Sequence, residues 1–197
     1  MPQTIALLDQ GHAWTAEQIA AITAEDLTAP TPCPPWNLRH LLDHLLEMLM
    51  VIAHAAEGRP LDPGWRDNGA LAAAVATSGE APAAAFETMA SRLAAAWRRP
   101  GALEQTCQLS FGAVPASVVA GIQLLEVVVH GWDVTSTVGR PARIPDDLAN
   151  AVYAFAQGPV VTAKRGIAFA DPLDVAHPRS ASDRLLAYLG RVPLTSA

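Results

Sequence analysis

Between Pro115 and Gly139 the sequence is one long apolar run in which Glu126 and His130 stand as the chief interruption, and this limits what the chain can fold into. A proline in a first turn costs no helical hydrogen bond and a glycine ends a helix easily, so the two bracket a helix of about 22 residues, roughly 33 Å long. Glu126 and His130 are four residues apart and leave the same face of that helix. Because the rest of the helix is apolar, that face is expected to look inward. A carboxylate and an imidazole buried together cost about several kcal/mol in desolvation unless they are paired or hold a cation.

Two ligands from one helix need a third from a neighbour, and the other apolar helix that carries histidines is the second, with His40, His44 and His54. Asn37 is a good N-cap for it, and Gly58 a natural C-terminal stop. His44 lies deeper than His40 among Leu41, Leu42, Leu45 and Met48, so it is the histidine expected to face the interior, while His54 points roughly 80° away from it. Two imidazoles and one carboxylate suit one divalent ion, zinc first, with nickel, iron or manganese also compatible. Three ligands leave room for water or substrate. The competing reading is that Glu126 and His130 simply pair with each other, or with Arg39 or Arg92, inside the core, and the spacing favours neither.

Elsewhere proline and glycine punctuate the chain. A first helix is predicted from about Gln3 to Thr23, with Ile5, Leu8, His12, Ile19 and Ile22 turned inward, stopped by the loop from Ala29 to Pro35. A short helix around 70–76 and a third long helix from about Pro82 to Arg98 follow. Cys107, Leu109 and Phe111 alternate with polar residues as in a short extended segment. Asp146 is expected to cap a fifth helix, and Ser180 or Ser182 a sixth that ends at Gly190. Four substantial helices followed by two shorter ones point to an all-α, up-down four-helix bundle of about residues 1–140 with a helical appendage over about 141–197, the whole a single domain with little strand.

Composition narrows the function classes. A formal charge of −6 with 13 scattered Lys and Arg offers no basic stripe for nucleic acid. The apolar stretches 41–56 and 113–129 both contain ionisable residues and read as buried bundle helices, so no membrane is expected as a partner. The first ten residues lack a secretory pattern, and a cytoplasmic location is expected. Cys33 and Cys107 are expected as free thiols. The apolar content leaves association into a homodimer open.

Thr31-Pro-Cys-Pro-Pro-Trp-Asn-Leu-Arg39, then Leu41-Leu42 and His44, and much later Glu126-Val-Val-Val-His130-Gly-Trp-Asp133, together resemble the actinobacterial metal-binding proteins related to mycothiol-dependent maleylpyruvate isomerase. These belong to the DinB-like superfamily of helical bundles. The resemblance extends to Phe111-Gly112-Ala113-Val114-Pro115 and to Gly190-Arg191-Val192-Pro193. It implies a DinB-like fold and a divalent metal held by His44, Glu126 and His130. Position 40 departs from the family in being histidine, and a surface role is expected there rather than a fourth ligand. Only about 40 residues follow the expected fifth helix, less than the second domain of the isomerase, so isomerase activity is not expected to transfer.

The resemblance implies a metal-dependent transferase that uses a small-molecule thiol, mycothiol, as cosubstrate against a small electrophile. The alternatives are a small metal-dependent hydrolase and a non-catalytic, metal-dependent binding or regulatory protein. Three neighbours of the expected ligands carry weaker expectations. Asp133 either orients an imidazole or caps its helix, Trp36 and Trp132 are anchors before they are substrate walls, and Cys33 is a small packed loop residue before it is a reactive thiol.

Overall fold

The computed structural model describes residues 2–60, 82–140, 142–175 and 178–193. The short helix expected around 70–76 lies outside the described residues. Four long helices, α1 (Pro2–Ala20), α2 (Leu38–Glu57), α3 (Pro82–Trp97) and α4 (Ala116–Thr137), are followed by α5 (Asp146–Ala156), a single turn α6 (Pro159–Thr162) and α7 (Ala181–Tyr188). Helix α4 is rich in valine, which by propensity favours strand; burial overrides that preference, since Val119, Val127, Val128, Val129 and Val134 all lie in the core. Among the described residues α4 is the one helix long and apolar enough to cross a membrane, and most of it is enclosed by the protein.

Helix ends follow the local chemistry that the sequence suggested, with two exceptions. The Asn37 side chain accepts from the His40 amide, and α2 ends at Gly58, whose φ of 70° is left-handed. Ser180 likewise accepts from the Asp183 amide to start α7. Asp146 does not cap α5: Pro145 occupies the cap position, and Asp146, already in the first turn, pairs with Arg143 instead. Helix α1 also stops at Ala20, short of Thr23.

Around the bundle the order is α1, α4, α2, α3, so the consecutive helices α1 and α2 lie across a diagonal. Helices α1 and α4 run the same way, because Gly11 abuts Leu124 and Val128 while Thr15 abuts Gly131 four residues on. Helices α2 and α3 run against them and finish together, where the Arg99 guanidinium and the Gln105 amide both donate to the Ala56 carbonyl. Alternation therefore holds from α1 to α2 and from α3 to α4, but not from α2 to α3.

Contact between α1 and α4 is close because Gly131 has no side chain: a Cβ there would sit 2.6 Å from Thr15 Oγ1 and 2.7 Å from Trp14 Cζ3. The Thr15 hydroxyl uses that proximity to donate to the Val127 carbonyl at 2.9 Å. In the core between α1, α3 and α4, Trp97 Nε1 donates to Gln123 Oε1 at 2.6 Å, and Gln123 Nε2 donates onward to His12 Nε2 at 3.1 Å. Burial holds His12 down to about 4, against the opposing pull of Asp9.

The extended segment around Cys107 is strand β1 (Thr106–Leu109), and it has an unexpected partner, β2 (Gly112–Pro115), in an antiparallel hairpin that pairs Cys107 with Val114. After α4 the chain packs α5 against α4 and α7 against α5. Ser182, within α7, accepts from the Ile144 amide and ties the last helix to the start of α5. Gly190 then turns with φ 75°, wedged where a Cβ would lie 2.6 Å from Ala170 Cβ, and carries Arg191 back toward α4.

Candidate metal centre

His44 sits two turns into α2, and Glu126 and His130 sit at the middle of the antiparallel α4 and one turn beyond it, so antiparallel packing brings the three side chains to one level. Glu126 Oε2 lies 3.4 Å from His44 Nε2 and 3.2 Å from His130 Nε2. The two imidazole rings meet edge to face with centroids 5.3 Å apart. Neither nitrogen is aligned for a hydrogen bond, and Glu126 Oε2 is buried without one. A buried carboxylate oxygen left this way calls for a missing partner.

The spacing fits a cation. Atoms bound about 2.0–2.1 Å from a tetrahedral ion lie about 3.3–3.4 Å from one another, close to both observed separations. All three ligand atoms lie within 4.8 Å of each other. These residues could hold a metal ion, and the donor set of two imidazoles and a carboxylate is of the kind that zinc and its neighbours take.

Behind the cluster, His130 Nδ1 meets Asp133 Oδ2 at 2.8 Å, and Asp133 is fully buried. The Arg191 guanidinium clamps that carboxylate twice, Nε to Oδ1 at 2.7 Å and Nη2 to Oδ2 at 2.8 Å. Cys33 joins them: its thiol donates to Asp133 Oδ2 at 3.4 Å and accepts from Arg191 Nη2 at 3.5 Å. An acceptor fixed on Nδ1 sets the tautomer that leaves the Nε2 lone pair for a metal.

Charge follows from these contacts. Burial pushes Glu126 up, but His130 and His44 prevail and hold its carboxyl well below the usual carboxylate range. Burial likewise raises Asp133, and the Arg191 and His130 charges overcome it and drive the carboxyl down. His130 is pushed down by burial yet ends well above its ordinary value, because Asp133, Cys33 and Glu126 all favour the protonated ring.

The loop before α2 is braced by its own backbone. Thr31 donates to the Trp36 carbonyl from both amide and hydroxyl, Trp36 donates to the Cys33 carbonyl, and Leu38 donates to that of Ala29. Trp36 is thereby held against His44, ring centroids 4.7 Å apart and tilted 40°.

The structure thus brings His44, Glu126 and His130 together and leaves His40 exposed at the start of α2, outside the cluster. Of the two readings of Asp133, the contact with His130 is the one observed. Trp132 is buried in the core. The polar pairing considered for Glu126 with Arg39 or Arg92 does not occur: Arg39 is exposed and Arg92 binds Glu57. Arg191 had no assigned role in the sequence, although it lies within the terminal motif Gly190-Arg191-Val192-Pro193.

Fold and cluster define a DinB-like helical bundle whose second and fourth long helices present an open His2Glu set. Residues 8–135 match the mycothiol maleylpyruvate isomerase N-terminal domain, and the chain belongs to that family. Two uncharacterized proteins, one from each of two strains of Mycobacterium tuberculosis, are each 31% identical over 178 residues, covering 89% of this chain and 91% of the relative. The crystal structure of the mycothiol-dependent maleylpyruvate isomerase superposes with a TM-score of 0.61 at 21% identity, over 84% of this chain and 72% of that one. A histidine-to-alanine mutant of that isomerase gives 0.62 at 20% identity, with the same coverage. At such identity the likeness is one of fold.

Proposed function

We propose that the protein binds one divalent cation, zinc in the first instance, through His44 Nε2, Glu126 Oε2 and His130 Nε2, and acts as a transferase that joins mycothiol to a small electrophile. The observation that carries the metal is Glu126 Oε2, buried without a hydrogen bond between two imidazole nitrogens at 3.2 and 3.4 Å. The thiol rests on family membership and on the name of the structural neighbours; the isomerisation in that name belongs to those proteins.

A bound cation of this kind favours the thiolate form of a thiol at neutral pH and so supplies a nucleophile. The chain's own residues do the rest. Asp133 accepts from His130 Nδ1–H and keeps the ring from turning, while Arg191 keeps Asp133 ionised and in place. Glu126, held in its anionic form, supplies one negative charge to the centre, and three protein ligands leave room for a sulfur atom.

The test is conjugation of a fluorogenic electrophile such as monobromobimane by metal-loaded protein in the presence of mycothiol. A rate above the uncatalysed reaction that disappears in His44→Ala is expected. A rate indistinguishable from the uncatalysed one, across a panel of electrophiles, would exclude thiol transfer; turnover of simple esters without any thiol would point to a hydrolase instead.

A further inference from the structure

The cluster is not equally enclosed on all sides. Side-chain exposure is 28% at His44 against 16% at Glu126 and 12% at His130, so the way out of the site runs past His44. Trp36 stands there, its ring packed on that of His44 at 4.7 Å. Its amide and carbonyl are both used within the loop, which fixes the backbone that carries the indole before any ligand arrives. The residue is only partly buried, and Nε1 has no acceptor among the described residues.

A partly exposed indole, carried on a braced loop beside the more open edge of a ligand cluster and with no acceptor for its Nε1 among the described residues, offers a binding surface, since an aromatic face costs little conformational entropy to present. Resting on the thiol reading above, we infer that Trp36 is the platform for the part of the cosubstrate beyond its sulfur: the sugar and cyclitol rings of mycothiol lie with their C–H faces on the indole. A molecule anchored by sulfur at His44, Glu126 and His130 has to lead the remainder of its length outward along the His44 side. An electrophile need only reach the sulfur. Trp36 therefore selects between thiols and leaves the reaction at sulfur alone.

Two thiols separate this from a merely structural role: mycothiol, and N-acetylcysteine, which has the sulfur end without the rings. Their binding to the metal-loaded full chain is measured by calorimetry without electrophile, in the parent, Trp36→Phe and Trp36→Ala, with bound metal and helical circular dichroism recorded for each. The parent is expected to prefer mycothiol. Trp36→Ala is expected to weaken mycothiol on the order of tenfold and to leave N-acetylcysteine and the bound metal unchanged, with Trp36→Phe in between. In turnover the loss falls on KM for mycothiol, with kcat little altered.

Equal loss for both thiols, or none for either, overturns the inference and leaves thiol transfer standing. A parent that binds both thiols equally overturns it even if neither variant folds. A parent that binds neither thiol removes the transferase reading, and this inference with it.

Discussion

At the residue scale the chemistry turns on His130, which lies between Asp133 and Glu126 and has Cys33 at its side. Its raised value means that in the metal-free protein the ring keeps its proton above the ordinary histidine range. That proton contributes stability that is complete below the unfolded value and lost as pH rises through the folded one. A metal at Nε2 must displace it, so affinity rises with pH from near neutrality upward, and metal binding at pH 7 releases about one proton. Calorimetry in buffers of different ionisation enthalpy reads that number directly; uptake with no proton released would contradict the assignment of His130. His12 behaves in the opposite sense. Held down to about 4 by burial, it stays neutral in the fold while the unfolded chain takes up a proton below about 6.5. Stability is then fully present above that value and falls with pH, by about 2 kcal/mol at pH 5 relative to pH 7. Urea unfolding at the two pH values tests this against His12→Phe, in which the difference should shrink by that amount.

At the element scale, α4, which carries Glu126 and His130, is seated by its close contact with α1. Gly131 follows His130 directly, and a methyl group there would meet Thr15 Oγ1 at 2.6 Å and Trp14 at 2.7 Å, which are helix-borne and cannot both withdraw. Gly131→Ala is therefore expected to push α1 from α4, lose the bond from Thr15 to Val127, and destabilise by about 1–3 kcal/mol. Weaker metal binding should accompany the loss in thermal unfolding; an unchanged midpoint would show that the helices can part freely. Much at this scale was legible in the sequence, because caps and helix faces are local. Asn37, Gly58, Ser180 and Gly139 act through neighbours a few residues away, and the pairing of Glu126 with His130 needs only a helical turn. Strand β2 was not legible: Gly112–Pro115 holds a glycine and a proline, poor strand formers, and becomes a strand only because β1 offers a partner. Asp146 misled for a related reason, since Arg143 competes for its carboxylate.

At the scale of the whole molecule, the C-terminal helices complete the site. Gly190 and Arg191 follow α7, yet the guanidinium reaches Asp133 in the bundle, where the carboxylate is fully buried and the guanidinium side chain is only 10% exposed. Sequence gives no sign of this pairing, because the partners are 58 residues apart and meet only once α5 and α7 have packed. The order of helices around the bundle was hidden for the same reason, as it depends on how the connections cross between ends. Removing one partner of a buried ion pair leaves the other uncompensated, which costs about 3–5 kcal/mol. Arg191→Met is expected to lose stability on that scale in urea unfolding, and to weaken metal binding by about 10–100-fold although no ligand is touched, because the support behind His130 is gone. A variant that binds metal as the parent does would show that Arg191 is only a fold anchor.

The most direct measurement is of bound metal, by elemental analysis of protein purified without an affinity metal column, beside His44→Ala, Glu126→Ala and His130→Ala. About one divalent ion per chain in the parent, lost in each variant while helical circular dichroism persists, is the result expected of a His44–Glu126–His130 centre. A parent that takes up no ion even when zinc, nickel or manganese is added would contradict it, and would make Glu126 and His130 a polar pair inside a helical core.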